Sequence, residues 1–274
     1  MTTKNNILRL TESAVMLALA TVLSNIVLLE MPMGGSVTAL SMAPMLIIAY
    51  RYGTRWGVFS GAVYGLMQMM LGMHNLKYGT SLWAVLVIIL FDYLVAFAVL
   101  GFGGLCRKYC RSQALGLALG TAAASLLRYA CHFISGWVVW GVWAPEGMPA
   151  WLYSLTYNAY YMVPEAVLTI IGLVLVSAYL DFTSENITRR AAKPTAFPRN
   201  VTAQTCKLAG VSVACTGVFF LLGEALTVLT TEGTEMDKLH CLTVLGVLLI
   251  AGAVVYALGE VVQLLSDIKH KESL

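Results

Sequence analysis

The sequence predicts an all-α fold: a polytopic helical membrane protein, with a six-helix bundle followed by two additional C-terminal transmembrane helices. Three observations carry this. The 274 residues are 59% hydrophobic and only 11% charged, against about 25% charged in an ordinary soluble domain. Mean hydropathy is +0.78. Apolar runs recur along the chain at lengths near the roughly 20 residues a helix needs to cross a bilayer. The lipid bilayer of a cell membrane is therefore the expected surrounding. A net charge of +3 gives no basic footprint, so nucleic acid is not an expected partner.

The segments follow in order. The first, at 8–29, has Lys4 and Arg9 ahead of it, as a signal peptide would. It is long for such a peptide and has no A-x-A site, so a retained helix is expected. Ala14 and Ala18 form a small-residue row on it. The second, at 38–50, is short and contains Pro44, which predicts a bent or partly re-entrant piece. The third, at 57–73, carries Gly57, Gly61 and Gly65 four apart, a row that lets helix backbones approach closely. The fourth, fifth and sixth lie at 81–105, 113–141 and 151–179. Residues 181–205 (DFTSENITRRAAKPTAFPRNVTAQT) are polar and basic with two Pro, and read as a linker. Two last segments lie at 206–230 and 240–266. The predicted organisation is a membrane body at 1–180, a basic cytoplasmic linker at 181–205 and a two-helix extension at 206–274.

Charge sets the expected orientation. With the N-terminus inside, the inner stretches hold 14 of the 17 Lys and Arg. The outer loops hold only Lys77 and Lys238, and they collect Glu30, Glu146, Glu232, Glu235 and Asp237. The positive-inside rule is met at each turn, which places both termini in the cytoplasm. An inside linker makes its NIT and NVT triplets chance matches to the glycosylation pattern.

Several functions find no support. There is no P-loop motif, so the chain is not expected to be its own ATPase. No HExxH or GxSxG occurs, and no enzyme is expected. The six Cys show no CxxC spacing, so neither a metal site nor a disulfide framework is predicted. No cofactor is implied.

Ionisable residues inside a span are costly and mark a cavity or a partner. Here they are Asp92, Arg128, His132, Glu165, Glu224 and Glu260. At 1.5 Å per residue, Asp92 lies about 16 Å below the outer face, His132 about 14 Å and Asn158 about 10 Å. Arg128 and Glu165 lie about 20 Å down, near the midplane. Arg128 and His132 are four apart and share a helix face. Arg128 is expected to pair with Glu165 or with Asp92. Between Tyr129 and Asn158 the chain has four of its six Trp, three Tyr and one charge, Glu146. Trp137, Trp143 and Trp151 fit an interfacial belt. Trp140, with Trp143 and Tyr153, also fits the roof of a pocket anchored by Asp92, His132 and Asn158. One carboxylate among aromatic faces suits a flat, cationic ligand.

These residues also carry a resemblance. The stretch RYACHFISGWVVWGVWAPEGMPAWLYSLTYN, with FDYLVAF upstream and TESAVMLALATVLS near the start, resembles the thiamine-specific S-component of energy-coupling factor transporters, over residues 8–180. The spacing is specific: HF-x-x-G, a Trp eight residues after the His, a Tyr thirteen further on and an Asn five beyond that. The resemblance implies a six-helix subunit that captures thiamine from outside. It also implies two kinds of partner, a transmembrane coupling protein and two cytoplasmic ATPase subunits. It places Trp140 on the aminopyrimidine ring and His132, Tyr153 and Asn158 around the ligand. It puts the helix-four carboxylate–Tyr pair on Asp92 and Tyr93, and an aromatic of helix three on Tyr64. Ala14 and Ala18 match the face that docks the coupling protein. Two departures stand out: Asp92 where the family has Glu, and Tyr64 where it has Trp. The loop at 73–83 is longer than usual, so Tyr78 and Trp83 take no assignment. The resemblance is silent on 206–266. The alternative is a stand-alone secondary carrier for thiamine or its pyrimidine precursor; the absence of paired, interrupted repeats counts against it.

Overall fold

The structure is a computed structural model that describes residues 3–31, 34–110, 112–190, 203, 206, 207, 210, 211, 213, 214 and 238–272. It divides into two units, each described by itself. The first comprises Met1–Pro145 and Pro149–Arg189, the second Glu146–Met148 and Arg190–Leu274.

The first unit opens with α1 (Thr3–Ser24), an Ala- and Leu-rich helix with no Gly or Pro. At its end Ser24 Oγ and Asn25 Nδ2 both donate to the carbonyl of Thr21, satisfying a last-turn acceptor and stopping the helix. The apolar run continues to residue 29, but not as helix. Val27–Glu30 (β1) and Ser36–Thr38 (β2) pair antiparallel, with Val27 opposite Thr38 and Glu30 opposite Ser36. Gly34 and Gly35 both sit at φ +87°, a conformation that a side chain would strain. The two glycines after Met33 thus decide a hairpin where length alone suggests more helix.

α2 (Ala43–Tyr52) is only ten residues long, with Pro44 in its first turn, where the missing N–H costs nothing. Residues 43–51 are all buried, so α2 is a core plug and not a full span. α3 (Thr54–Leu71) turns back beside it. α4 (Leu82–Lys108) is a continuous helical rod of 27 residues. α5 (Gln113–Val138) and α6 (Ala150–Tyr179) complete the bundle. Ser81 and Ser112 cap α4 and α5, accepting from the N–H of Ala84 and Leu115 at 3.1 Å each. The residues from Leu180–Asp181 (β3) to Thr188–Arg189 (β4) form a short antiparallel turn.

Glycine sets the spacing of the helices. A Cβ on Gly57 would lie 2.9 Å from Gly101 Cα, and one on Gly65 would lie 2.7 Å from the carbonyl oxygen of Tyr93. Gly61 faces the Phe97 carbonyl at closer range still. The predicted row on α3 therefore rests directly on the backbone of α4. On the other side, Gly103 of α4 meets Gly120 of α5. The main core gathers around Met42, Met45, Leu46, Ile48, Tyr64, Leu100 and Leu117.

At one end of the bundle Arg51 works as a hub. Its guanidinium meets both Glu12 carboxylate oxygens, at 2.8 and 3.0 Å, and donates to the carbonyls of Phe182, Ser184 and Glu185. One side chain thus binds α1 and α2 to the chain after α6.

In the second unit, α7 (Lys238–Glu272) is the described helix. Gly252 meets Gly210, and Glu260 pairs with Lys207 at 2.8 Å. The predicted segment at 206–230 falls largely outside the described residues, as do Glu224 and Cys215. Among the described residues five helices are long and apolar enough to cross a membrane: α1, α4, α5, α6 and Val244–Gln263 of α7.

Replacing Gly61 with Leu drives a side chain into the α4 backbone, which cannot move aside as a flexible side chain would. Overpacking of this kind typically costs about 1–3 kcal/mol. Gly61→Leu is expected to lower the melting temperature of the detergent-purified protein, whereas Leu at solvent- or lipid-facing Phe59 leaves it unchanged. Equal melting temperatures for Gly61→Leu and wild type would show that α3 and α4 are not in backbone contact.

Candidate functional site

The bundle holds a partly open cavity of about 310 Å³, at the lower end of the range for small-molecule sites. Its walls come from β2, α3, α4, α5 and α6 and from the 140–158 region. Each element delivers its residues by local geometry.

In α4, Ile88–Leu94 is π-helical. The wider turn re-aims the side chains on it, and such segments are common at functional sites. Asp92 and Tyr93 lie within it. In α5 the buried face runs through Gly116, Gly120, Ala124, Arg128, Cys131 and Ser135, three or four apart, the spacing of one helix stripe. In α6 the matching stripe is Ser154, Asn158, Tyr161, Glu165, Thr169 and Leu173. Where these stripes face one another the polar residues meet in two layers.

The deeper layer is an ion pair. Arg128 Nη1 donates to Glu165 Oε2 at 3.0 Å, with both side chains at least nine-tenths buried. Thr38 at the end of β2 donates to the other Glu165 oxygen at 2.9 Å. The guanidinium lies over the Phe97 ring, 4.6 Å from its centre. Of the two partners open to Arg128 from sequence, Glu165 is the one it takes.

The second layer centres on Asp92. His132 Nδ1 is 3.2 Å from Asp92 Oδ1. Ser135 Oγ and Trp140 Nε1 donate to Oδ2 at 2.8 and 3.0 Å. Asn158 Nδ2 donates to the carbonyl of His132 at 3.2 Å and to that of Ser154 at 2.8 Å, while its oxygen accepts from Tyr161 at 2.8 Å. The shared layer expected for Asp92, His132 and Asn158 is present. Tyr153 lines the same cavity, its ring 5.4 Å from that of Tyr157.

Tyr64 and Tyr93 line the cavity with their hydroxyls already engaged. Tyr64 is fully buried and donates to the Ala20 carbonyl. Tyr93 donates to the Gly72 carbonyl and accepts from Asn75. Trp140 is partly buried against Tyr78, with ring centres 5.3 Å apart, and Tyr78 also meets Trp143. Trp137, Trp143 and Trp151 are about half exposed, as an interfacial belt requires. Ala14 and Ala18 are exposed on α1 and lie outside the cavity.

Sequence reasoning missed four contributors. Thr38 and the hairpin were hidden because strands were not expected in this chain. Ser135 lies two turns beyond Arg128 and one beyond Cys131 on the buried stripe, a spacing that could have exposed it. Tyr157 and Tyr161 are i, i+4 neighbours with a similar signal. Tyr157 donates to the Gly34 carbonyl at 2.9 Å, and Gly35 packs against the Tyr161 ring, so both hold the hairpin over the cavity.

Helices long and apolar enough to cross a membrane, around an aromatic and polar cavity, define a multi-pass membrane protein that binds a small molecule. More particularly, the chain belongs to the family described as Thiamine transporter protein (Thia_YuaJ), which matches residues 10–183. The thiamine transporter ThiT of Bacillus subtilis (strain 168) is 38% identical over 187 residues, covering 64% of this chain and 93% of that protein. ThiT of Lacticaseibacillus paracasei is 31% identical over 149 residues, 50% of this chain and 72% of its own. A solved structure of ThiT from Listeria monocytogenes aligns with a TM-score of 0.53 at 25% identity, covering 63% of this chain and 94% of that one.

Removing one member of a buried pair leaves an uncompensated charge, typically at a cost of about 3–5 kcal/mol. Arg128→Met is expected to destabilise the protein by that order, and Glu165→Leu likewise. The double variant should recover most of the loss, because both charges are then gone. Thermal unfolding of the four proteins measures this as a double-mutant cycle. Additive single losses would mean that the two side chains do not depend on each other.

Proposed function

We propose that the chain is a high-affinity thiamine-capture subunit of an energy-coupling factor type uptake system, and that its cavity is the thiamine site. The observation that carries the reading is the Asp92 cluster: a carboxylate, an imidazole and an indole brought together by α4, α5 and Trp140 on the wall of one cavity. In this reading Trp140 stacks on the aminopyrimidine ring. His132, Tyr153 and Asn158 line the ligand, and Asp92, Tyr93 and Tyr64 complete the wall. By formal charge, Asp92, Glu165 and Arg128 leave the lining one net negative charge, which suits a monocation such as thiamine. The names of the two ThiT relatives support the same substrate.

The orientation belongs to the proposal too. Both termini face the cytoplasm, and the cavity opens outward beneath the aromatic 137–143 stretch. The body at 1–180 binds. The linker at 181–205 is cytoplasmic, and 206–274 is an appendage not needed for binding. The exposed face of α1 at Ala14 and Ala18 docks a transmembrane coupling protein, which carries two ATPase subunits.

Calorimetry on the purified protein without ATP tests the core of this reading. One thiamine is expected to bind per chain. Trp140→Ala should weaken binding by about 1–3 kcal/mol through lost stacking, and intrinsic Trp fluorescence should change on titrating the wild type. An Ala variant that binds as tightly as wild type removes Trp140 from the site. Thiamine uptake by liposomes holding this chain alone would instead favour a stand-alone carrier.

A second prediction concerns docking. Small residues let helix backbones approach, so Ala14→Trp should leave thiamine affinity intact yet prevent co-purification with the coupling protein. Recovery of the full complex at normal yield with Ala14→Trp would rule out this face.

A further inference from the structure

We propose that a second cavity, at the Arg51 end of the bundle, binds a phosphate-bearing anion, and that its place at the membrane boundary makes an anionic phospholipid headgroup the ligand. The inference does not depend on what the larger cavity binds.

This cavity of about 200 Å³ lies between the start of α1, the ends of α2 and α4, and the turn after α6. Asn5, Arg9, Arg51, Arg107 and Glu185 line it. Three guanidiniums thus meet one carboxylate. Glu12, which binds Arg51, brings the formal balance to one positive charge.

The three arginines differ in what they can offer. Arg51 is spent on the fold: its three nitrogens serve Glu12 and the carbonyls of Phe182, Ser184 and Glu185. Arg107 donates to the carbonyls of Tyr50 and Arg51 from Nη1 alone. Among the described residues its Nε and Nη2 take no protein acceptor. Arg9 lies over the Trp56 ring, 4.1 Å from its centre. Stacking engages the face of a guanidinium, and not the N–H edge with which it forks onto phosphate.

Exposed side chains put this cavity at a polar–apolar boundary. Lys4 and Ile7 of α1, Arg55 and Phe59 of α3, and Lys108 and Leu105 of α4 are all exposed. Three helices therefore pass from charged to apolar surface within about one turn, as helices do at the level of lipid headgroups. Basic pockets between helix ends at that level suit anionic headgroups. The Trp56 ring beneath Arg9 continues to Phe59, with ring centres 5.4 Å apart, and Phe59 is 57% exposed. The pair offers acyl chains an apolar surface beside the cations. A soluble phosphate would use the guanidiniums but not the rings.

The test uses the full chain, purified and delipidated in detergent. It is titrated with dioleoylphosphatidylglycerol, with dioleoylphosphatidylcholine and with inorganic phosphate. Native mass spectrometry reads retained lipid, and thermal unfolding reads stability. One phosphatidylglycerol per chain should be retained and raise the melting temperature. Phosphatidylcholine has the same chains and no net charge, and should bind about fivefold more weakly or worse. Inorganic phosphate at the same concentration should leave the melting temperature unchanged. Arg9→Gln and Arg107→Gln should each weaken phosphatidylglycerol retention about fivefold. Lys108→Gln removes an exposed cation outside the cavity and should not. Arg107 also supports the end of α2, so Arg9→Gln carries the test if Arg107→Gln does not fold. Equal retention of the two lipids overturns the proposal. So does a loss in Lys108→Gln as large as in Arg9→Gln, which would mean diffuse surface attraction. Stabilisation by inorganic phosphate equal to that by phosphatidylglycerol overturns the lipid assignment in favour of a soluble phosphate.

Discussion

An ionised side chain inside an apolar slab must be compensated where it stands, and the Arg128–Glu165 pair is where this chain meets that demand most completely. The pair links α5 to α6 at 3.0 Å. Thr38 adds the end of the hairpin, and Phe97 adds α4 beneath the guanidinium. Four segments distant in sequence therefore converge on two charges. The energetic value of such a pair lies less in its own stability than in the cost of breaking it. The Asp92 layer sits one helical turn away, so its geometry inherits whatever precision the ion pair imposes.

The helices around this centre are held by two kinds of contact. Between α3 and α4 there is backbone against backbone, made possible by Gly57, Gly61 and Gly65. Without a strong hydrophobic drive in lipid, such close van der Waals packing is a principal source of association. At the Arg51 end the contacts are polar and multiple, with one guanidinium serving Glu12 and three carbonyls. Between these, the short α2, buried over residues 43–51, fills the core without having to match the bilayer thickness.

Much of this was legible in the sequence, for reasons that differ by residue. The helices announced themselves because lipid demands long apolar runs, and no rule of soluble folds competes with that. The glycine row was legible because its spacing has a single physical use. The meeting of Asp92 with His132 and Asn158 followed from helix rise alone, since three helices anchored at the same face share a depth scale. The hairpin was not legible: its strands are three and four residues long, and hydropathy cannot separate an apolar strand from the end of an apolar helix. Nor could counting residues choose between Asp92 and Glu165 for Arg128, because that depends on how α4 is wound. The residues 215–237 lie outside what the structure describes, and the family match ends at residue 183.

The winding of α4 has a consequence of its own. A π-helical stretch amounts to one surplus residue absorbed into a helix, so the parts on either side are out of phase by about 100°. In α4 the surplus lies between the segment capped by Ser81 and the segment whose Phe97 and Gly101 backbone receives α3. The cavity residues of α4, Asp92, Tyr93 and Phe97, lie within and just after this stretch, beside the backbone that receives Gly61 and Gly65. A deletion of one residue between Ile88 and Leu94 would restore an even winding and turn the Ser81-capped part by about 100° against the part that meets α3.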